Sequence, residues 1–201
     1  MNYKQPATDS ISCAILAGGK NRRMGKNKAF IEVDGISLLK KNIVLLQQIF
    51  TEITIVTNSP KEYISFKNDA SIITDKIKDI GPLGGIFSAL STTSKESVFF
   101  VACDMPFLHN DMIIRQLSLF KKTDCDALIP KLGEFIEPLH AIYKTKIAGM
   151  LNQHIKNNKV YAIRSFLELV KVKYMPVENT AGNRKAFTNI NTLDDYKNII
   201  R

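Results

Sequence analysis

The sequence predicts a single α/β domain, residues 1–201, built on a mainly parallel sheet. Three observations carry that prediction. Short apolar, β-branched runs alternate with amphipathic stretches along the chain, the pattern of βαβ units. No repeat, low-complexity tract or Pro/Gly-rich linker divides it. The composition, 45% hydrophobic and 23% charged over 201 residues, suits one sizeable core and excludes collagen-like, disordered and membrane-spanning classes.

The elements follow in order. Ile11–Ala17 (ISCAILA) reads as a fully buried strand, and Leu38–Phe50 carries its apolar residues at near-helical spacing. Ile53–Thr57 is β-branched throughout and strand-like, and Ala70–Thr74 is a weaker strand. A helix over Leu83–Thr92 leads to a second buried strand, Ser97–Cys103 (SVFFVAC). A helix over Asp111–Lys122 precedes strands over Ala127–Pro130 and Pro138–Tyr143. Thr145–Asn157 reads as a helix, and a shorter one follows Ala162. Thr192 caps a last helix, with Asp194 and Asp195 in its positive first turn. Residues 1–10 are expected to form a poorly ordered N-terminal extension.

The chain is basic, with 28 Lys and Arg against 19 Asp and Glu, a formal charge of +9. Such an excess raises the question of nucleic acid, so its distribution matters. Residues 1–100 hold 13 basic and 9 acidic side chains, and residues 101–201 hold 15 and 10, so no basic tail exists. Aromatics are not interleaved with cations as an RNA-stacking face requires. Residues 1–12 show no secretory apolar segment, and no run approaches the roughly 18 apolar residues of a spanning helix. Cys13, Cys103 and Cys125 are an odd set without metal-like spacing. The expectation is a cytoplasmic protein with free thiols, binding neither nucleic acid nor membrane.

In open parallel sheets, ligands bind beyond the carboxyl ends of the strands. Two glycine groups fall there: Gly18, Gly19 and Gly25 after the first strand, then Gly81, Gly84 and Gly85. The first group lies in LAGGKNRRMGKNK with Lys20, Arg22, Arg23, Lys26 and Lys28 and no acid. An isolated glycine pair is a turn, but five cations round three glycines suit a polyphosphate. The loop is not a P-loop, because five residues separate Gly19 from Gly25 and Asn27 follows Lys26. It also lacks the G-x-G-x-x-G of dinucleotide sites.

Asp104 ends the strand Ser97–Cys103, where it reads either as an Mg²⁺ ligand beside phosphates or as a turn cap. Asn58 and Asp75 also follow short strands and would line the same edge or serve their turns. His109, His140 and His154 share no metal-ligand spacing. His109 reads as a turn residue and His154 as part of an exposed helix face. His140 lies in a strand and is packed or faces a pocket.

Together these residues resemble the molybdenum cofactor guanylyltransferase family, within the GT-A-like nucleotidyltransferases, nearly end to end. The motif L-A-G-G-x-x-x-R-M-G-x-x-K is Leu16 to Lys28, and G-P-L-x-G-[IM] is Gly81 to Ile86. The D-[MT]-P element is Asp104-Met105-Pro106, and P-L-x-A-x-Y is Pro138 to Tyr143. The closing N-[IV]-N-T is Asn189 to Thr192. One departure is Asn27, where relatives often carry Asp.

The resemblance implies a Rossmann-like, GT-A-type three-layer domain. It also implies that the chain transfers GMP from GTP to the terminal phosphate of molybdenum-molybdopterin, releasing diphosphate. GTP contacts are implied at Leu16, Ala17, Gly18, Gly19, Lys28, Asn58, Asp75 and Asp104, with Asp104 also holding Mg²⁺. Arg23, Lys28 and Asp104 are the implied catalytic residues. Asn189 and Asn191 face the pterin or support the metal. Cofactor biosynthesis proteins and acceptor molybdoenzymes are the implied protein partners. Two relatives remain as alternatives: a molybdopterin cytidylyltransferase, whose kind tends to read L-A-A-G, and a sugar-phosphate nucleotidyltransferase. A non-catalytic basic module binding RNA or an acidic partner is the alternative from another class.

Overall fold

A computed structural model describes residues 9–18, 27–33, 35–158, 161–190 and 192–199. Its strands are β1 (Ile11–Leu16), β2 (Glu32–Val33), β3 (Ile36–Ser37), β4 (Ile53–Val56) and β5 (Ser71–Ile73). They continue as β6 (Ser97–Ala102), β7 (Ala127–Leu132), β8 (Phe135–Ile136), β9 (His140–Lys144) and β10 (Val172–Val177). The helices are α1 (Leu38–Leu46), α2 (Pro82–Leu90), α3 (Asn110–Lys121), α4 (Ala148–Asn157), α5 (Ile163–Leu167), α6 (Ala181–Ala186) and α7 (Leu193–Ile199).

The main sheet runs β10-β7-β9-β6-β1-β4-β5, with β8 paired to β7. β6, β1, β4 and β5 are parallel neighbours, as are β10 and β7. β9 is antiparallel to both β6 and β7. This reversal delivers the start of β9 to the edge where the parallel strands end.

Strict alternation divides the core between the two faces. Cys13, Ile15 and Phe99 pack with α1 and α3 residues such as Ile43 and Leu117. Ala14, Val98 and Phe100 pack with Leu83, Leu151 and Phe166 of α2, α4 and α5. Phe99 stacks on Phe50 at 5.4 Å, while Phe100 meets Tyr143 edge-on at 5.5 Å. Each such ring contributes about 1.5–3 kcal/mol by burial. The result is the three-layer α/β arrangement that the sequence predicts.

Local signals set most boundaries. Ser37 caps α1, its hydroxyl accepting from the Lys40 amide. Thr192 caps α7, as the sequence predicts, its Oγ1 accepting from Asp195 N–H, and Asp195 Oδ2 returns the cap by accepting from Thr192 N–H. Other details differ. α1 stops at Leu46, four residues early, and residues 145–147 form a 3₁₀ turn ahead of α4. β10 and α6 carry no clear pattern in the sequence. β10 exposes Lys173, Tyr174 and Pro176, tolerated because it is an edge strand. His154, read as exposed, is buried, because its ring packs at 5.7 Å from Phe166 and lies 3.3 Å from Ser165 Oγ.

Candidate nucleotide site

The carboxyl ends of the central strands are laced together past the ladder. Ala17 N–H donates to Val56 O, Thr57 N–H to Ile73 O, and Cys103 N–H to Leu16 O, at 2.8–3.0 Å. These bonds fix Leu16, Ala17 and Gly18 at one rim with Asp104. A cleft of about 220 Å³ opens there, lined by Leu16, Ala17, Gly18, Asn27, Lys28, Pro82, Asp104 and Leu139, among others.

Lys28 begins a 3₁₀ turn capped by Asn27, whose Oδ1 accepts from the Ala29 amide at 3.1 Å. The turn aims the Lys28 ammonium at Asp104, with Nζ 3.2 Å from Oδ2 and both side chains about one-fifth exposed. A second pair stands on the β4–β5 side. Asn58 Nδ2 donates to Asp75 Oδ2 at 2.9 Å, and a Cβ at Gly18 would lie 3.7 Å from both side chains. Burial holds the Asp75 carboxyl above the usual carboxylate range, partly offset by the Asn58 hydrogen bond and the Lys78 charge.

The second glycine group makes room for that carboxylate. A Cβ at Gly84 would come within 2.5 Å of the Ile77 carbonyl oxygen, and one at Gly85 within 2.8 Å of Leu16 Cδ2. Only glycine lets α2 seat its first turn against Asp75 and Leu16.

Asn189 and Asp104 are brought together through the backbone. The Ile190 amide donates to the Asp104 carbonyl at 2.9 Å. Asn189 Oδ1 is buried and has no hydrogen-bond partner among the described residues. A carboxylate and an orphaned amide oxygen on adjoining segments are hard donors of the kind that suit a small divalent cation. Among the described residues no group of three or more His, Cys, Asp or Glu could hold a metal alone, so phosphate oxygens would have to complete the shell. Gly19, Arg23 and Asn191 lie outside the described residues.

Sequence reasoning missed Tyr63. It sits fully buried in the 3₁₀ turn Pro60–Phe66, with its hydroxyl 3.1 Å from Ala17 O and accepting from Asn27 Nδ2 at 2.9 Å. Burial pushes its hydroxyl up to about 12. Asn27 Nδ2 also donates to Glu62 Oε2 at 2.8 Å, which gives the departure at this position a local reason. An aspartate here would face the Glu62 carboxylate. His140, which the sequence left open, is packed and not in the cleft. Its ring lies edge-on between Phe99 and Phe187, each at 5.1 Å, and burial pushes it down to about 4.

A larger cleft of about 620 Å³ separates Pro106–Arg115 from Gly182–Ala186. It shares the turn after Asp104 as a wall but holds none of the motif charges. The smaller cleft opposes Lys28 and Asp104, charges of the kind that suit phosphate and a cation.

Comparison with known proteins decides the lineage. Residues 13–173 match the family model described as a MobA-like NTP transferase domain. The chain belongs to that family. It is therefore a nucleotidyltransferase. A relative from Clostridium perfringens, strain 13, named "Probable molybdenum cofactor guanylyltransferase", is 36% identical over 94% of this chain and 96% of its own. One of the same name from Peptoclostridium acidaminophilum is 34% identical over 92% and 86%. A solved structure of molybdopterin-guanine dinucleotide biosynthesis protein A from Archaeoglobus fulgidus has a TM-score of 0.79. It is 33% identical, covering 94% of this chain and 96% of that one. No helix among the described residues is long and apolar enough to cross a membrane.

Proposed function

We propose that this MobA-like nucleotidyltransferase transfers GMP from GTP to the terminal phosphate of molybdenum-molybdopterin, giving the guanine dinucleotide cofactor and diphosphate. The observation that carries the reading is the Lys28–Asp104 pair facing into a cleft at the strand ends. Relatives named for this reaction at 34–36% identity support it.

GTP lies along the rim from Gly18 to Asp104. The backbone at Leu16, Ala17 and Gly18 borders the nucleotide. The Asp75 carboxylate, oriented by Asn58, accepts from the N–H edge of guanine, a planar pair of donors that a carboxylate matches. Lys28 releases Asp104 and moves onto the triphosphate; Arg23 joins it there. A phosphate oxygen of the acceptor attacks the α-phosphorus of GTP. A new P–O–P link forms, the bond from the α-phosphorus to the bridging oxygen breaks, and diphosphate carries away the electron pair. The nucleophile is already ionised, so no general base is required. The protein's share is positioning and charge balance.

Asp104 and the orphaned Asn189 Oδ1 would hold a divalent metal, with Mg²⁺ the proposed ion and Asn191 its neighbour or a pterin contact. When bound, it neutralises phosphate charge. Free Cys13, Cys103 and Cys125 favour the cytoplasm as compartment, where cofactor biosynthesis proteins and acceptor molybdoenzymes would meet the product.

Diphosphate release with each nucleoside triphosphate, in the presence of molybdenum-molybdopterin and Mg²⁺, tests the reading. Release with GTP is expected. Release with CTP, or with a sugar phosphate as acceptor, would assign one of the sibling activities instead. Salt-sensitive binding without nucleotide preference would make the chain a basic binding module.

A further inference from the structure

Sheet order divides the carboxyl edge in two. Gly18, Asn58 and Asp75 stand at the ends of β1, β4 and β5, on one side of Asp104, which follows β6. On the other side, the start of β9 and the β7–β8 hairpin reach the same edge, because β9 runs backwards. Leu139, just before β9, already lines the nucleotide cleft, and its carbonyl accepts from the Ala102 amide at 3.1 Å. The half of the edge beyond it has no assigned role.

Glu137 lies there, two residues before Leu139. Its amide donates to Pro130 O at 3.0 Å, extending the β7–β8 pairing by one residue, and its carbonyl accepts from His140 N–H at 3.1 Å. The backbone is therefore pinned. The side chain is half-buried, yet among the described residues its carboxylate accepts no hydrogen bond and forms no ion pair. The Arg164 guanidinium near the start of α5 offsets only part of the cost of that burial. A half-buried carboxylate that no protein group among the described residues donates to is open to a ligand that brings donors. Phe135, two residues earlier on the same face of the hairpin by alternation, is 72% exposed. A flat apolar face beside a hydrogen-bond acceptor fits a heteroaromatic ring that stacks on one and donates to the other.

We propose that Phe135 and Glu137 form the recognition face for the acceptor's pterin ring. The ring stacks on Phe135, and its amino-pyrimidinone edge donates two N–H groups to the Glu137 carboxylate. This deepens the guanylyltransferase reading and rests on it. Asp75 and Glu137 then hold two similarly shaped donor edges on opposite sides of Asp104, where the two phosphates meet.

The test uses the full-length protein with E137Q and F135A. GTP kinetics and the kinetics of molybdenum-molybdopterin are measured separately, alongside titration of molybdopterin without GTP, followed by pterin fluorescence. E137Q is expected to raise the acceptor KM and Kd at least about tenfold, and F135A by a similar factor. KM for GTP should stay within about twofold in both. Acceptor KM and Kd within twofold of wild type would overturn the proposal. So would a lowered melting temperature and kcat with acceptor KM unchanged, the mark of a structural role. Should wild-type protein consume no GTP with the acceptor, the transferase reading fails, and the pterin titration alone decides the role of Glu137.

Discussion

Lys28 Nζ lies 3.2 Å from Asp104 Oδ2, so before substrate arrives each charge in the cleft is neutralised by the other. The pair spans the two motifs that meet at the site, one after β1 and one after β6. In the proposed reaction, substrate would exchange this contact for two others, ammonium to phosphate and carboxylate to metal.

Removing either partner therefore has different signatures. Asp104→Ala is expected to lower kcat by at least about a hundredfold with the fold intact, because the side chain leaves a partly exposed loop edge. Diphosphate release and a thermal melt check both halves. Lys28→Ala is expected to weaken GTP binding about tenfold, the loss of one charge-assisted contact. Calorimetric titration with GTP reads it, and unchanged affinity would remove Lys28 from the site.

Gly84→Ala tests the fit of α2 against the nucleotide rim. Alanine favours a helix by about 1 kcal/mol over glycine. Here its Cβ meets the Ile77 carbonyl at 2.5 Å, a backbone atom with no rotamer to change. Overpacking of about 1–3 kcal/mol should win, lowering the melting temperature by several degrees and weakening GTP binding through Asp75. A variant as stable as wild type would show that the Ile77 loop yields.

Asn27→Asp is expected to destabilise the chain by about 1 kcal/mol, because the new carboxylate replaces an amide that donates to Glu62 at 2.8 Å. Adding Glu62→Gln should restore most of that loss. A double-mutant cycle by denaturant unfolding measures the coupling, and additive effects would mean the two side chains act independently.

His140 makes stability depend on acid. Its folded value of about 4 lies below the ordinary 6.5, so the unfolded chain takes up the proton first. The stability contributed by the neutral ring is full above about pH 6.5 and is lost as pH falls towards 4, by up to about 3 kcal/mol. Glu137 slopes the other way, since its carboxyl is held up at about 7 by burial and favours the fold when protonated. The difference between wild type and His140→Leu isolates the histidine. Denaturant unfolding at pH 5 and pH 8 should show a steeper acid loss in wild type.

The fold was most legible where burial is complete. β1 and β6 are continuous apolar runs because helices cover both faces, and their boundaries were read nearly to the residue. β10 was not read because half its side chains face solvent and it includes Pro176. His154 was misplaced because a polar residue at helical spacing does not reveal that Ser165 and Phe166, from another helix, will close over it. At the site, Asp104, Asp75 and Asn58 were legible as polar residues after strands, and the structure pairs the latter two. Tyr63 was not, because its role depends on a contact with Ala17 across 46 residues. Glu137 resisted for a related reason: a single glutamate in a hairpin is ordinary until its burial is known.

The hydrogen bond from the Ile190 amide to the Asp104 carbonyl has a consequence for how the enzyme comes into being. It is made between residues 86 positions apart, so its donor leaves the ribosome well after its acceptor. The strands β1, β4, β5 and β6 can assemble as soon as they emerge, but the loop bearing Asp104 is braced only after residue 190 has appeared. A nascent chain stalled before that point would carry a formed nucleotide rim with its central carboxylate loop unbraced.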